Sequence, residues 1–154
     1  LMGRFVELNS HAMNIGLDLL VFPQGTRSKR LLPGRIGISQ IALHLKAPIV
    51  PIGCNGSDGV YPGASPWAQT GRIIYRVGEP ISYEELSAFH VREPFLPFSA
   101  EAERDHAEKF DGVTELVTNR IEPLLDPEYR RAELANDADD TSGRDDRQAA
   151  SRFV

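Results

Sequence analysis

Leu17-Asp18-Leu19-Leu20-Val21-Phe22-Pro23-Gln24-Gly25-Thr26-Arg27-Ser28 is an apolar run that breaks into a Pro-Gly turn carrying two hydroxyls and an arginine. Bounded by Gly16 and Pro23, residues 17–22 read as a buried strand. The turn that follows has the makings of an anion cradle. Arg27 offers a planar fork of donors that matches two phosphate oxygens. Gly25 lets the backbone approach a ligand closely, and Thr26 and Ser28 add hydroxyl hydrogen bonds.

Working outward, Ile36 to Lys46 carries Ile38, Ile41, Ala42 and Leu45 at helical spacing and is stopped by Pro48. Ile49 to Cys54 then reads as the next strand. Upstream, residues 4–15 form a helix with Phe5, Leu8, Ala12 and Ile15 on one face, closed by Gly16 as a left-handed C-terminal cap. Helix, strand, loop, helix and strand in that order predict an α/β domain whose largely parallel or mixed sheet is flanked by helices. The Arg27 turn then lies at the C-terminal end of a strand, where ligands of open α/β sheets collect.

Farther along, Asn55 to Gly71 is rich in Gly, Pro, Ser and Asn and reads as a long surface loop, with Tyr61 and Trp67 as anchors rather than substrate-facing rings. Arg72 to Val77 alternates as a strand, closed by Gly78 to Pro80. Ser82-Tyr83-Glu84-Glu85 is a capping box that starts a short helix through Phe89. After a proline-rich connector at 92–98, one continuous helix is expected from Ala100 to Leu125. Phe110, Val113, Leu116, Val117, Ile121 and Leu124 form its apolar stripe, which packs on the body. Residues 126–154 hold eight acidic and five basic residues with few large apolar ones, and are expected to be a disordered acidic tail. Two units result: a folded domain at 1–125 and that tail.

Charge singles out the turn. The chain of 154 residues has a formal net charge of -5, yet no Asp or Glu lies between Asp18 and Asp58, while Arg27, Lys29, Arg30, Arg35 and Lys46 do. A local positive field in an acidic protein suits a small anionic substrate and not a nucleic-acid duplex. No run approaches the ~20 apolar residues that span a bilayer, and no export signal opens the chain. Cys54 is the single cysteine, so an internal disulfide is excluded and a reducing compartment fits. The four histidines are scattered, without partners at ligand spacing, and no metal site is expected.

Phe22 to Ser28, followed by Pro48-Ile49-Val50-Pro51-Ile52 and by Gly78-Glu79-Pro80-Ile81, resembles the later motifs of the phospholipid and glycerol acyltransferase family, which includes the 1-acylglycerol-3-phosphate acyltransferases. The resemblance covers roughly residues 15 to 82 in order and spacing. It implies an acyltransferase of phospholipid biosynthesis that moves a fatty acyl group from a thioester to a lysophosphatidate or glycerol 3-phosphate type acceptor. By resemblance, Arg27 binds the acceptor's phosphate and Gln24, Gly25, Thr26 and Ser28 shape its loop, while Pro51 belongs to the motif that helps bind the acyl donor. The family needs no resident cofactor; acyl-CoA or acyl-carrier protein serves as co-substrate. It also implies peripheral contact with the cytoplasmic side of a membrane, directly or through a segment outside this chain.

The chain departs from the family pattern twice. Gln24 stands where the family has glutamate, replacing a carboxylate with a neutral amide. The family's N-H-x-x-x-x-D motif, whose histidine deprotonates the acceptor hydroxyl, has no counterpart in the 21 residues before Phe22: His11 is followed five positions on by Gly16. His106 and Asp111 have the right spacing, but they lie downstream, on a helix where positions five apart are ~140° apart around the axis. The expectation is therefore the C-terminal, phosphate-binding part of an acyltransferase domain, inactive by itself, with no catalytic residue of its own. The alternative is a non-catalytic lipid-phosphate-binding or interaction remnant. A nucleotide-binding enzyme is disfavoured because neither phosphate-loop glycine motif occurs.

Overall fold

The computed structural model describes residues 2–63 and 67–132. Its elements are α1 (Met2–Asn14), α2 (Gly37–Leu45), β1 (Ile52–Asn55), the single-turn α3 (Ser57–Val60), β2 (Ile74–Val77) and α4 (Ala100–Ile121). Three 3-10 helices complete the list of elements, at Glu84–Phe89, Glu122–Leu124 and Pro127–Tyr129. Helices and sheet are mixed, as expected of an α/β chain.

α4 organises the body. Ser99 caps it, its Oγ accepting from the Ala102 N–H at 3.1 Å. Phe110, Val113, Val117 and Ile121 of the expected stripe are buried, Leu116 packs beside them, and Leu124 is half-buried in the 3-10 turn beyond. They meet Ala42 and Leu43 of α2, Leu86 of the first 3-10 helix, and Ile49 and Ile81. Near-complete burial of such side chains contributes about 1.5–3 kcal/mol each. The helix is not continuous, however: His106 leaves helical geometry (φ -128, ψ 18), and its ring sits edge-on to Phe95 and Phe110.

The turn chemistry read from the sequence is realised at several joints. Gly16 (φ 83) ends α1, with Gly16 N–H on the Met13 carbonyl and Leu17 N–H on the Ala12 carbonyl, both at 3.0 Å. Ser82 and Glu85 form their reciprocal box: Ser82 N–H to Glu85 Oε2 at 2.9 Å, and Glu85 N–H to Ser82 Oγ at 3.2 Å. Glu85 is held below the ordinary carboxylate range chiefly by that Ser82 N–H.

Three expectations are corrected. First, the sheet of the described residues is two-stranded and antiparallel, not parallel. Ile52 pairs with Val77, Gly53 with Arg76, Cys54 with Tyr75 and Asn55 with Ile74, and an antiparallel bridge joins Ile49 to Ile81. Second, residues 17–22 have no ladder partner among the described residues and form no strand, and Leu20 and Phe22 are 77% and 76% exposed. An apolar run becomes a strand only when a neighbouring edge takes up its N–H and C=O groups. Third, α1 buries Val6, while Phe5, Leu8 and Ile15 of the expected inner face are about half exposed or more.

Residues 126–132, within the stretch read as tail, are placed on the body. Leu31 N–H donates to the Tyr129 carbonyl at 2.8 Å, and Arg131 pairs with Glu122, whose carboxyl it holds below the ordinary range. The rest of that stretch, 133–154, lies outside the described residues, as do 64–66 of the long loop. Among the described residues, no helix is long and apolar enough to cross a membrane.

Candidate functional site

The Pro-Gly turn forms as read. Gly25 N–H donates to the Phe22 carbonyl at 3.1 Å, closing the turn, and Gly25 takes φ 64, a region that costs glycine nothing. The next turn signal, Leu32-Pro33-Gly34, brings the chain back on itself, so that Arg35 N–H donates to the Pro23 carbonyl at 2.7 Å. Ser28 Oγ donates to the Arg30 carbonyl at 2.7 Å, which fixes the far side of the loop and leaves the hydroxyl oxygen as an acceptor. The Gln24 amide spans the loop interior, with Nε2 3.5 Å from the Arg30 and Leu32 carbonyls. That cross-loop role is open to an amide, whose nitrogen donates; a carboxylate there would face two carbonyl oxygens.

Gln24, Gly25, Thr26, Arg27 and Ser28 thus share one exposed loop. The Arg27 guanidinium lies beside Gly63, where a Cβ would sit 3.4 Å from its Nη1. Among the described residues no carboxylate pairs with Arg27, Arg30 or Arg35. The nearby Lys29 is 3.7 Å from Asp58, an exposed pair of small energetic weight. Asp58 is occupied by another donor: the Tyr129 hydroxyl, 2.7 Å away, is the main reason its carboxyl lies below the ordinary range, with Lys29 adding the least. The same contact raises the Tyr129 phenol. The loop therefore keeps its arginines available among the described residues, while the Asp58 carboxylate, still charged, accepts from the Tyr129 hydroxyl.

Pro51 sits elsewhere. It is buried at the start of β1, its carbonyl accepts from Gly78 N–H at 2.9 Å, and its ring packs over Gly78. The two later motifs of the resemblance are thereby joined to each other across the ladder.

Two participants escaped the sequence reading. Arg35 was counted for its charge and not as a member of the loop, although Pro33-Gly34 signalled the reversal that brings it back. Tyr129 was assigned to the tail, and no local signal connects it to Asp58, 71 positions away.

An apolar cleft of about 230 Å³ opens beside the turn, between α1, residues 19–25, the start of α2 and Phe98. The four histidines lie away from these contacts: His11 is on exposed α1, His44 and His106 are edge-on to Phe95, and His90 stacks on Tyr83. Among the described residues, no group of three His, Cys, Asp or Glu side chains is placed to hold a metal ion.

Comparison with known proteins agrees with the reading over a limited stretch. The chain is 51% identical over 43 residues to a 1-acyl-sn-glycerol-3-phosphate acyltransferase of Cocos nucifera, a match covering 27% of this chain and 14% of that protein. No family model matches the chain, and no solved structure does. What is in hand is a resemblance to an acyltransferase, carried by a segment that spans about one seventh of the relative's length.

Proposed function

We propose that this chain carries the phosphate-binding part of an acyltransferase that passes a fatty acyl group from an acyl thioester to a lysophosphatidate or glycerol 3-phosphate type acceptor, with Arg27 gripping the acceptor's phosphate. One observation carries the reading: Arg27 stands on a hydrogen-bonded turn, exposed, with no carboxylate partner among the described residues. An unpaired guanidinium beside hydroxyls, in an acid-free stretch, is arranged to take a phosphate dianion. The partial match to the coconut enzyme supports the same assignment.

The acceptor hydroxyl must lose its proton as its oxygen attacks the thioester carbonyl and the thiolate departs. No histidine of the described residues contacts the turn. In this reading the base that takes that proton is a group outside the described residues. Pro51 then serves the donor side, where acyl-CoA or acyl-carrier protein enters, and contact with a membrane surface supplies the insoluble partners. No resident cofactor is invoked.

Acylation is assayed on this chain and on the chain joined to a histidine-bearing upstream segment. The expected result is activity in the joined form alone, with Arg27→Ala weakening phosphate-ester binding about ten- to a hundredfold, the scale of a hydrogen bond to a charged group. A second reading, a non-catalytic phosphate-binding remnant, is favoured by the Gln24 amide turned across the loop onto carbonyls. It prevails if the joined form is inert while Arg27-dependent binding persists.

A further inference from the structure

The cleft beside the turn is walled by apolar side chains, among them Phe5, Val21, Phe22, Ile38 and Phe98, and Arg35 is the charged residue on its wall. Arg35 meets the turn at two points, one through its main chain and one through its side chain. Its main-chain N–H is on the Pro23 carbonyl at 2.7 Å, and its Nε donates to the Gln24 carbonyl at 3.3 Å. A Cβ added at Gly25 would lie 3.1 Å from its Cδ and 3.2 Å from its Nε, so the absent side chain at Gly25 is what lets the arginine lie flat on the turn. With Nε used for anchoring, the two terminal nitrogens remain to donate, and no carboxylate among the described residues claims them.

We infer that Arg35 is a specificity-determining residue, binding the anionic head of a single-chain phosphate ester whose hydrocarbon chain lies in the adjoining cleft. The inference rests on the reading of the Arg27 turn as a phosphate site, and goes beyond it by giving the site a second cation and a direction for the rest of the ligand. Charge complementarity selects the occupant. One pre-oriented cation at an apolar cleft matches a molecule with an anionic end and an apolar chain, whereas a peptide segment would bring backbone amides and carbonyls to a wall on which only Asn9 and Arg35 offer polar side chains. Without a chain, a phosphate gains nothing from the cleft, so the pair discriminates chain-bearing esters from bare ones.

The test is binding of inorganic phosphate and of ethyl, butyl, hexyl and octyl phosphate, below their aggregation concentrations, to the full chain by calorimetry. Affinity is expected to rise about fourfold per added methylene until the cleft is filled. Ile38→Trp, which fills it, should flatten that slope. Arg35→Ala should weaken the alkyl phosphates about tenfold, and Arg35→Lys should recover part of the loss, with circular dichroism confirming that each variant is folded. Affinity independent of chain length, no measurable binding of octyl phosphate, or an unchanged slope in Ile38→Trp overturns the inference. So does self-association of the chain that Phe22→Asp abolishes, since a second copy would then occupy the cleft. Arg27→Ala separates the two readings. If it removes phosphate binding from a wild type that shows no chain-length slope, the cleft assignment alone fails; if the slope is present and Arg27→Ala changes nothing, the Arg27 reading fails.

Discussion

The body around α4 and the arm from Leu17 to Phe22 are both rich in apolar residues, yet one buries them and the other displays most of them. Phe110 and Ile81 are 0% exposed; Leu20 and Phe22 are 77% and 76% exposed. The difference is not hydrophobicity but partnership. A helix satisfies its own backbone and needs only a surface for its stripe, which α4 finds in α2, the Glu84–Phe89 turn and the Ile49–Ile81 bridge. An extended segment needs another strand for its backbone as well as cover for its side chains, and residues 17–22 find no such strand among the described residues. The arm is therefore pinned by turns and by loop contacts while its apolar side chains edge a cleft.

The sharpest way to break this contrast is a pair of truncations. Phe110→Ala should cost about 3–5 kcal/mol of unfolding free energy, because a fully buried ring is lost from a packed core. Phe22→Ala should change stability by no more than about 0.5 kcal/mol. Urea titrations of both variants decide it, and equal losses would mean that the arm is packed in solution.

A smaller effect separates two glycines. A Cβ at Gly53 would meet Leu124 Cβ at 2.7 Å and its carbonyl oxygen at 2.8 Å, whereas nothing lies within 4 Å of one at Gly3 in α1. Gly53→Ala should therefore destabilise by about 1–3 kcal/mol through overpacking against backbone. Gly3→Ala should raise the thermal midpoint instead, by helix propensity alone.

The smallest effect concerns the contact in which Tyr129 donates to Asp58. Asp58 has a depressed carboxyl, so its contribution is present above the ordinary carboxylate range and is lost as pH falls through its folded value. Tyr129 has a raised phenol, so its contribution is present below the ordinary tyrosine value and is lost as pH rises through its folded one. Tyr129→Phe should cost about 1 kcal/mol at neutral pH and move the Asp58 titration upward, as read by carboxyl NMR. An unmoved Asp58 would show that the main-chain amides of Asp58 and Gly59, and not the tyrosine, hold its carboxyl down.

Much of the fold was legible where a signal was local. α2 runs over Gly37–Leu45 within the expected 36–46, Gly16 caps α1, the Ser82–Glu85 box forms, and the stripe on α4 is buried where its spacing placed it. The break at His106 was not legible, because nothing in the helical pattern reports that two phenylalanine rings will meet the imidazole there. Nor was the choice of inner face on α1, where Val6 took the place expected of Leu8. Of the candidate site, the turn and its arginine could be read directly, while the second arginine and the tyrosine that donates to Asp58 could not.

The amino-acid order by itself determined the turns, the caps and the helical stripe, since each depends on side chains within a few positions of one another. It also determined the acid-free stretch that leaves the turn's arginines unopposed. Tertiary structure alone decided which apolar run became a strand, the antiparallel sense of the β1–β2 ladder and the return of Arg35 onto Gly25. Each of those needs a partner far along the chain, and hydrophobic spacing carries no address for it.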